Sequence, residues 1–399
     1  MSLLRALFRF LVPSGLLFAG ACILLYVTGV PPVLRPYLTL YPWLVATAGL
    51  LLGWRFNRSR LVYVVLLLAV GEWTLHFQQN VSIRMFAVSP AALLIPLNLV
   101  FIAFWKECGL LNWRNLLRVG WLGGQVAGVW WLFQWDAEQI TQWLQQPFLP
   151  WSLPGQVQMS QVALAASLLC GALLLVRYLF IPKPMDCGFF WSLPAVVLAF
   201  CVPEQMTFWF STVLLILLIA VVEASFSMAF DDELTGLPAR RAMNEHLLKL
   251  GRRYVVAMVD IDHFKKVNDT HGHDIGDQVL RMVASCLRRV TGGGRAFRYG
   301  GEEFAVIFSG KTVDEATPHL EALRERIAES RFVVRSRKRP RKKPEDSKKR
   351  KSTGKVLQVT ASIGLAERDD RKPEADQVIK AADQALYRAK KGGRNRVCH

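Results

Sequence analysis

The sequence has no CxxC pair and no even set of cysteines at framework spacing. Its seven (Cys22, Cys108, Cys170, Cys187, Cys201, Cys286 and Cys398) are scattered. That excludes a disulfide scaffold and a cysteine metal site, and reads as small buried hydrophobes in a reducing compartment. Charge is scarce in residues 1–230, which hold 12 Lys/Arg and 7 Asp/Glu, against 37 and 24 in the remaining 169. Tryptophan is absent after Trp209, all 13 lying at or before it. The chain is nevertheless 52% hydrophobic with a net charge of +18. A fully cytosolic enzyme and a disordered tail protein are both excluded. A membrane half joined to a soluble half accounts for the asymmetry.

A helix needs ~20 mostly apolar residues to cross the hydrocarbon core. Eight stretches qualify, at roughly 10–30, 36–54, 61–78, 85–105, 118–135, 159–176, 187–203 and 206–224. A cleavable signal peptide is not expected, because no small-residue cleavage site follows the first apolar run and further spans come at once. With the N-terminus inside, the inner segments carry Arg5, Arg9, Arg55, Arg58, Arg60, Lys106, Arg114, Arg118, Arg177 and Lys183. The outer loops carry only Arg35 and Arg84. This positive-inside bias predicts a multi-pass membrane protein with both termini cytoplasmic. Of the ionisable residues near spans, Glu72, Glu204 and Glu223, only Glu72 sits well inside one. That leaves transport as a reading beside sensing or anchoring.

The soluble half alternates strands and helices. Tyr254–Asp260 reads as a buried strand, followed by a helical segment to about Val290. Arg295–Tyr299 and Phe304–Ser309 read as strands joined at Gly300-Gly301. Residues 313–329 have helical periodicity, Leu357–Ala366 reads as a strand and 374–391 as a closing helix. The pattern predicts one α/β domain around a central sheet. Asp260 and Asp262 are two apart, so in extended chain they point to one side. Glu302 and Glu303 follow the two glycines. If their strands are neighbours, Asp260 and one glutamate form a carboxylate cluster of the hard-oxygen kind that holds Mg²⁺ together with substrate phosphates.

Six segments carry a resemblance. They are Asp232-Glu-Leu-Thr-Gly-Leu-Pro238, Asp260-Ile-Asp-His-Phe-Lys-Lys-Val-Asn268-Asp, Gly272-His-Asp-Ile-Gly-Asp277, Arg298-Tyr-Gly-Gly-Glu-Glu-Phe304, Val359-Thr-Ala-Ser-Ile-Gly364 and Ala382–Asn395. In order and spacing they resemble the GGDEF family of diguanylate cyclases over about 231–399. The resemblance implies a nucleotidyl-cyclase-like fold with a central mixed sheet. It also implies condensation of two GTP into cyclic di-GMP with release of two pyrophosphates. Each subunit of a homodimer would hold one GTP, so that association is itself the switch.

Carried over residue by residue, Asp260, Glu302, Glu303 and the Ile261 carbonyl would hold Mg²⁺, two ions per half-site, with Mn²⁺ as the substitute. Either glutamate could deprotonate the 3′-hydroxyl. Asn268 and Asp277 would hydrogen-bond the guanine edge, with Phe264 and His273 lining the nucleotide site. Lys265, Lys390 and Arg394 would bind phosphates, with Lys265 assisting catalysis; Lys390 and Arg394 also read as helix-end cations. Asp262 and Asp274 are expected to be structural.

Three departures from the family stand out. The product-inhibition motif, an Arg-x-x-Asp before the hairpin, corresponds here to Thr291-Gly292-Gly293-Gly294. Feedback through that site is therefore not expected. Ala239 replaces a common Asn at a structural position. A basic segment, Arg331–Lys355, interrupts the domain with 13 Lys/Arg and two acids. Its self-repelling charge predicts a disordered loop. Anionic lipid is its candidate contact, while the near-absence of aromatics speaks against nucleic acid.

The organisation expected is a membrane domain over 1–223, a helical linker over 224–231 and a catalytic domain over 232–399. The linker is too short for the heptads of a coiled coil. The final membrane helix is therefore expected to set the orientation of two catalytic domains directly. A catalytically idle nucleotide or cyclic di-GMP receptor is the alternative, disfavoured because the metal and base residues are intact.

Overall fold

Contacts within the chain fall into two units, Met1–Phe226 and Ser227–His399, in the computed structural model. The structure describes residues 7–8, 10–27, 33, 35–77, 81–109, 112–147, 159–334, 355–369 and 374–399.

In the first unit, eight helices of nine residues or more follow the eight apolar stretches among the described residues. They are α1 (Ser14–Cys22), α2 (Tyr41–Arg55), α3 (Ser59–Glu72), α4 (Val81–Phe104), α5 (Trp113–Gln145), α6 (Gln161–Phe180), α7 (Pro184–Cys201) and α8 (Met206–Phe230). Four of the described helices, α4, α6, α7 and α8 with its lead-in from Pro203, are long and apolar enough to cross a membrane. Asn57 takes a left-handed φ of 54° and breaks the chain between α2 and α3, leaving 15 and 14 residues. The 33-residue α5 kinks at Asp136, whose φ of −155° is not helical. One apolar core of α3, α4, α7 and α8 side chains holds the unit together, with Trp209, Phe189 and Phe200 fully buried.

The second unit contains α9 (Arg240–Leu248), β1 (Tyr254–Ile261), α10 (Phe264–His271), α11 (His273–Leu287), β2 (Arg295–Gly300), β3 (Glu303–Ser309), α12 (Val313–Glu329), β4 (Phe332–Val334), β5 (Lys355–Leu357), β6 (Ala361–Glu367), α13 (Ala375–Lys391) and β7 (Val397–Cys398). Five strands form a mixed sheet in the order β2-β3-β1-β6-β7, antiparallel except for the β6–β7 pair. All of β1 is buried, and its alternation divides the core. Val255, Ala257, Val259 and Ile261 pack with Val283 and Leu287 of α11 and Leu320 and Ile327 of α12. Tyr254, Val256 and Met258 pack with Met243 of α9 and with Val378 and Leu386 of α13.

The predicted helical segment to about Val290 consists of two helices, α10 and α11. It breaks at Gly272, whose φ of 84° suits glycine. The predicted strand 357–366 is likewise divided. Lys355–Leu357 pairs with Phe332–Val334, and Ala361–Glu367 joins the main sheet. A capping box at Thr312 and Glu315 starts α12, the Thr312 hydroxyl accepting from the Glu315 N–H at 3.3 Å. Most of the predicted basic loop, residues 335–354, lies outside the described residues.

Candidate active site

The site begins at the C-terminal end of β1, the middle strand. Register sets Asp260 directly across from Glu303 of β3 on one side and Ser362 of β6 on the other. The conditional expectation of neighbouring strands is met. Period-two alternation turns Asp260 to the face covered by α13, where Lys390 extends from the helix's last turn. Its Nζ lies 2.9 Å from Asp260 Oδ2. Asp260 is only 5% exposed.

The chain leaves extended conformation after Ile261, and the Asp262 carboxylate is fully engaged elsewhere. It accepts from the Thr360 hydroxyl at 2.7 Å, the Ser362 hydroxyl at 2.6 Å and the Asn395 N–H at 3.1 Å. Asp262 therefore ties the end of β1 to β6 and to the loop after α13, and the structural role expected from sequence has a concrete form. Asp274 lies exposed in the first turn of α11.

Glu302 and Glu303 sit where β2 turns into β3. Gly301 has a φ of 50°, and the pairing shifts register between Arg298 and Gly300, so the turn is tight and irregular. Sequence reasoning assigned no role to the residues that hold it. Arg298 donates through Nη1 to both Asp232 oxygens, at 2.7 and 2.9 Å, and through Nη2 to the Gly301 carbonyl at 2.8 Å. Asp232 in turn accepts from the Thr235 N–H at 2.8 Å and from its hydroxyl. Burial opposes the Asp232 charge, but the Thr235 and Arg298 hydrogen bonds outweigh it and hold the carboxyl below its ordinary range. The one signal in the sequence is that both residues fall inside the family-like segments.

Three carboxyls at the site are shifted the other way. Burial raises Asp260 above its usual value, with Lys390 pulling against it and Asp262 adding to it. Burial and then the Asp260 charge raise Glu302 and Glu303 in the same manner. Among the described residues no three His, Cys, Asp or Glu side chains stand in ligating arrangement. The donor set still fits a hard divalent cation on chemistry. It consists of oxygens only, and its carboxyls disfavour one another's charge in a way a cation relieves.

The nucleotide-side residues come from α10, α11 and the end of α13. Asn268 Oδ1 is buried without a hydrogen-bond partner, beside Gly276. A Cβ at Gly276 would overlap that oxygen and crowd the Phe264 ring, so glycine is what admits the Asn268 side chain here. Asp277 is half-buried on α11, while His273, Lys265 and Arg394 are exposed and Phe264 is buried. Arg394 also lies close enough to lower Asp260 electrostatically. Thr291–Gly294 form a glycine turn, with Thr291 hydrogen-bonded to His319 Nδ1 at 2.8 Å and φ values of 69° and 77° at Gly292 and Gly293.

Residues 229–396 match the family model described as "Diguanylate cyclase, GGDEF domain". This stretch is a GGDEF domain. The chain is 36% identical over 177 residues to diguanylate cyclase DgcP of Pseudomonas aeruginosa, an alignment covering 42% of this chain and 24% of that protein. It is 35% identical over 187 residues to the response regulator PleD of Caulobacter vibrioides, covering 44% and 37% respectively. It is 38% identical over 173 residues to diguanylate cyclase VdcA of Vibrio cholerae, covering 42% and 46%. The chain spans less than half the length of each of these relatives. The sheet order, the Asp260–Glu303 register and the glycine turn are thus features of a GGDEF domain, and the mixed α/β fold agrees with the sequence expectation.

Proposed function

We propose that the protein is a membrane-bound diguanylate cyclase that condenses two GTP into cyclic di-GMP and two pyrophosphates across a homodimer of GGDEF domains. The observation that carries this reading is the carboxylate pair Asp260 and Glu303, opposite one another at the open end of the central strand with the Lys390 ammonium against Asp260. Asp260, Glu302, Glu303 and the Ile261 carbonyl would hold Mg²⁺ or Mn²⁺. When bound, the metal supplies charge neutralisation at the reacting phosphates.

The chain's own residues bind and orient. Asn268 Oδ1, buried and unpartnered, accepts from a guanine N–H donor, and the Asp277 carboxylate accepts from the N1 and N2 donors of the same edge. This pair favours guanine over adenine, because adenine offers a different pattern of donors and acceptors. Phe264 and His273 flank the base. Lys265, Lys390 and Arg394 compensate the charge of the phosphates and of the leaving pyrophosphate. Glu302 or Glu303 would also serve as the base at the 3′-hydroxyl; in the metal-free site burial and the Asp260 charge raise both carboxyls.

One GGDEF domain holds one nucleotide, so ring closure needs a second copy. Arrangement of the two copies through α8, which ends at Phe230 next to the Asp232 motif, is the proposed means of control. The membrane domain over 1–223, with α4, α6, α7 and α8 as its candidate spans, would place both termini in the cytoplasm. The Thr291–Gly294 turn lacks any Arg or Asp, so product accumulates without inhibition at that position.

The test is GTP turnover by the purified full-length protein with Mg²⁺, with products resolved chromatographically. Glu302→Ala combined with Glu303→Ala serves as the blank. Cyclic di-GMP and pyrophosphate from the wild type alone support the reading. Cyclic di-GMP binding without turnover, in a protein that also binds GTP, would replace it with the receptor.

A further inference from the structure

The first unit contains a cavity of about 400 Å³ between α2, α3 and α8. Its walls are mainly apolar, from Val65 and Leu68 of α3 and Phe210 and Leu214 of α8. Glu72, the last residue of α3, is among the lining residues. One of its carboxylate oxygens accepts from the Thr207 hydroxyl, while the other, Oε2, is buried and has no partner. An enclosed carboxylate oxygen is unfavourable unless something donates to it.

The hydroxyls around the cavity decide what that something is. Thr207 spends its proton on Glu72. Ser211 donates to the Thr207 carbonyl at 2.7 Å, and Thr39 donates to the Pro36 carbonyl at 2.7 Å. Each hydroxyl lining the cavity thus has its proton engaged, and what remains is acceptor capacity beside a carboxylate. A ligand here must donate hydrogen bonds, gains from positive charge, and must present an apolar body to the walls. An anion, or a headgroup that only accepts, meets no free donor from the hydroxyls; the lining's other side-chain donors are the indole N–H groups of Trp43 and Trp73, both largely exposed.

We infer that this cavity is a binding site for a small monovalent organic cation, an alkyl- or arylalkyl-ammonium, whose ammonium group pairs with the Glu72 carboxylate. Thr207, Phe210, Ser211 and Leu214 belong to α8, the helix that reaches Phe230, so occupancy bears on the helix through which control of the cyclase is proposed. The site itself stands on the membrane unit alone and is read by binding, so it survives or fails independently of the cyclase reading.

The experiment uses full-length protein in nanodiscs of zwitterionic lipid, titrated calorimetrically with 2-phenylethylammonium, 3-phenylpropanoate and 2-phenylethanol, with empty nanodiscs subtracted. Saturable binding of the ammonium compound is expected, at least tenfold tighter than either analogue. Glu72→Gln should weaken it at least tenfold. Ala46→Phe, which fills the cavity without altering the carboxylate, should weaken it by a similar factor. Ammonium binding that is equal in Glu72→Gln, equal for the alcohol or the anion, or unsaturable in wild type would overturn the inference. If Glu72→Gln fails to fold, Ala46→Phe and the three-ligand comparison decide the matter.

Discussion

Replacing Arg298 with alanine removes the connection between the Asp232 carboxylate and the Gly301 turn that presents Glu302 and Glu303. The side chain makes three hydrogen bonds, two to Asp232 and one to the Gly301 carbonyl. The side chains of the Arg298–Asp232 pair are 14% and 21% exposed, so solvent screens the contact little. A hydrogen bond to a charged group contributes about 1.5–3 kcal/mol. The exposed Gly301 carbonyl recovers a partner from water, and Asp232 keeps Thr235. A loss of about 2–3 kcal/mol in local stability follows. At about 1.4 kcal/mol per tenfold, the opening equilibrium of the turn should rise roughly 30- to 150-fold. Tryptophan fluorescence cannot report this, since all 13 tryptophans precede residue 210. Amide hydrogen exchange read by mass spectrometry on peptides spanning 295–309 can. Arg298→Lys should recover only part, because one ammonium cannot reach both Asp232 and Gly301. Exchange in Arg298→Ala within threefold of wild type, or full rescue by lysine, would refute the reasoning. The sign with pH is fixed as well. Asp232 has a folded pKa below its unfolded one, so its stabilisation is complete above about pH 4. It is lost as pH falls through the folded value. The exchange difference between wild type and Asp232→Asn should therefore shrink in acid.

Three other outcomes are expected. Asn268→Ala should raise KM for GTP on the order of tenfold with a smaller change in kcat, and Gly276→Ala should mimic it, because the new Cβ displaces the Asn268 amide; equal falls in kcat with KM unmoved would contradict a guanine contact. Progress curves should stay linear as cyclic di-GMP accumulates, and preincubation with micromolar product should leave the initial rate within about twofold; strong inhibition would show that product binds elsewhere on the domain. A glycine-serine stretch inserted after Phe230 should change basal turnover several-fold, and an unaltered rate would remove α8 as the coupling element.

Local chemistry made much of the GGDEF domain readable before any coordinates. The Gly300-Gly301 turn announces its hairpin because glycine is what tolerates the conformation, and the apolar run Tyr254–Val259 announces a strand buried on both faces. What the sequence leaves conditional is pairing across distance. Asp260 meets Glu303 only because β1 lies beside β3, a choice made by two cores that draw on α9 to α13 together. Asp262 shows the same limit more sharply. Its structural role was expected, but the donors that define it, from Thr360, Ser362 and Asn395, lie 98 to 133 residues away and no local pattern names them. The first unit shows a different limit. Hydropathy locates its helices well, but helix length is set by local breaks such as the positive φ at Asn57 and the kink at Asp136. Composition registers those weakly. Glu72 joins both lessons. Its place in an apolar stretch was legible, but the feature that gives it chemistry is not, because that depends on where three hydroxyl protons go, one to Glu72 itself and two to backbone carbonyls. A sequence reports which groups are present. Which of them remain available is decided by long-range packing.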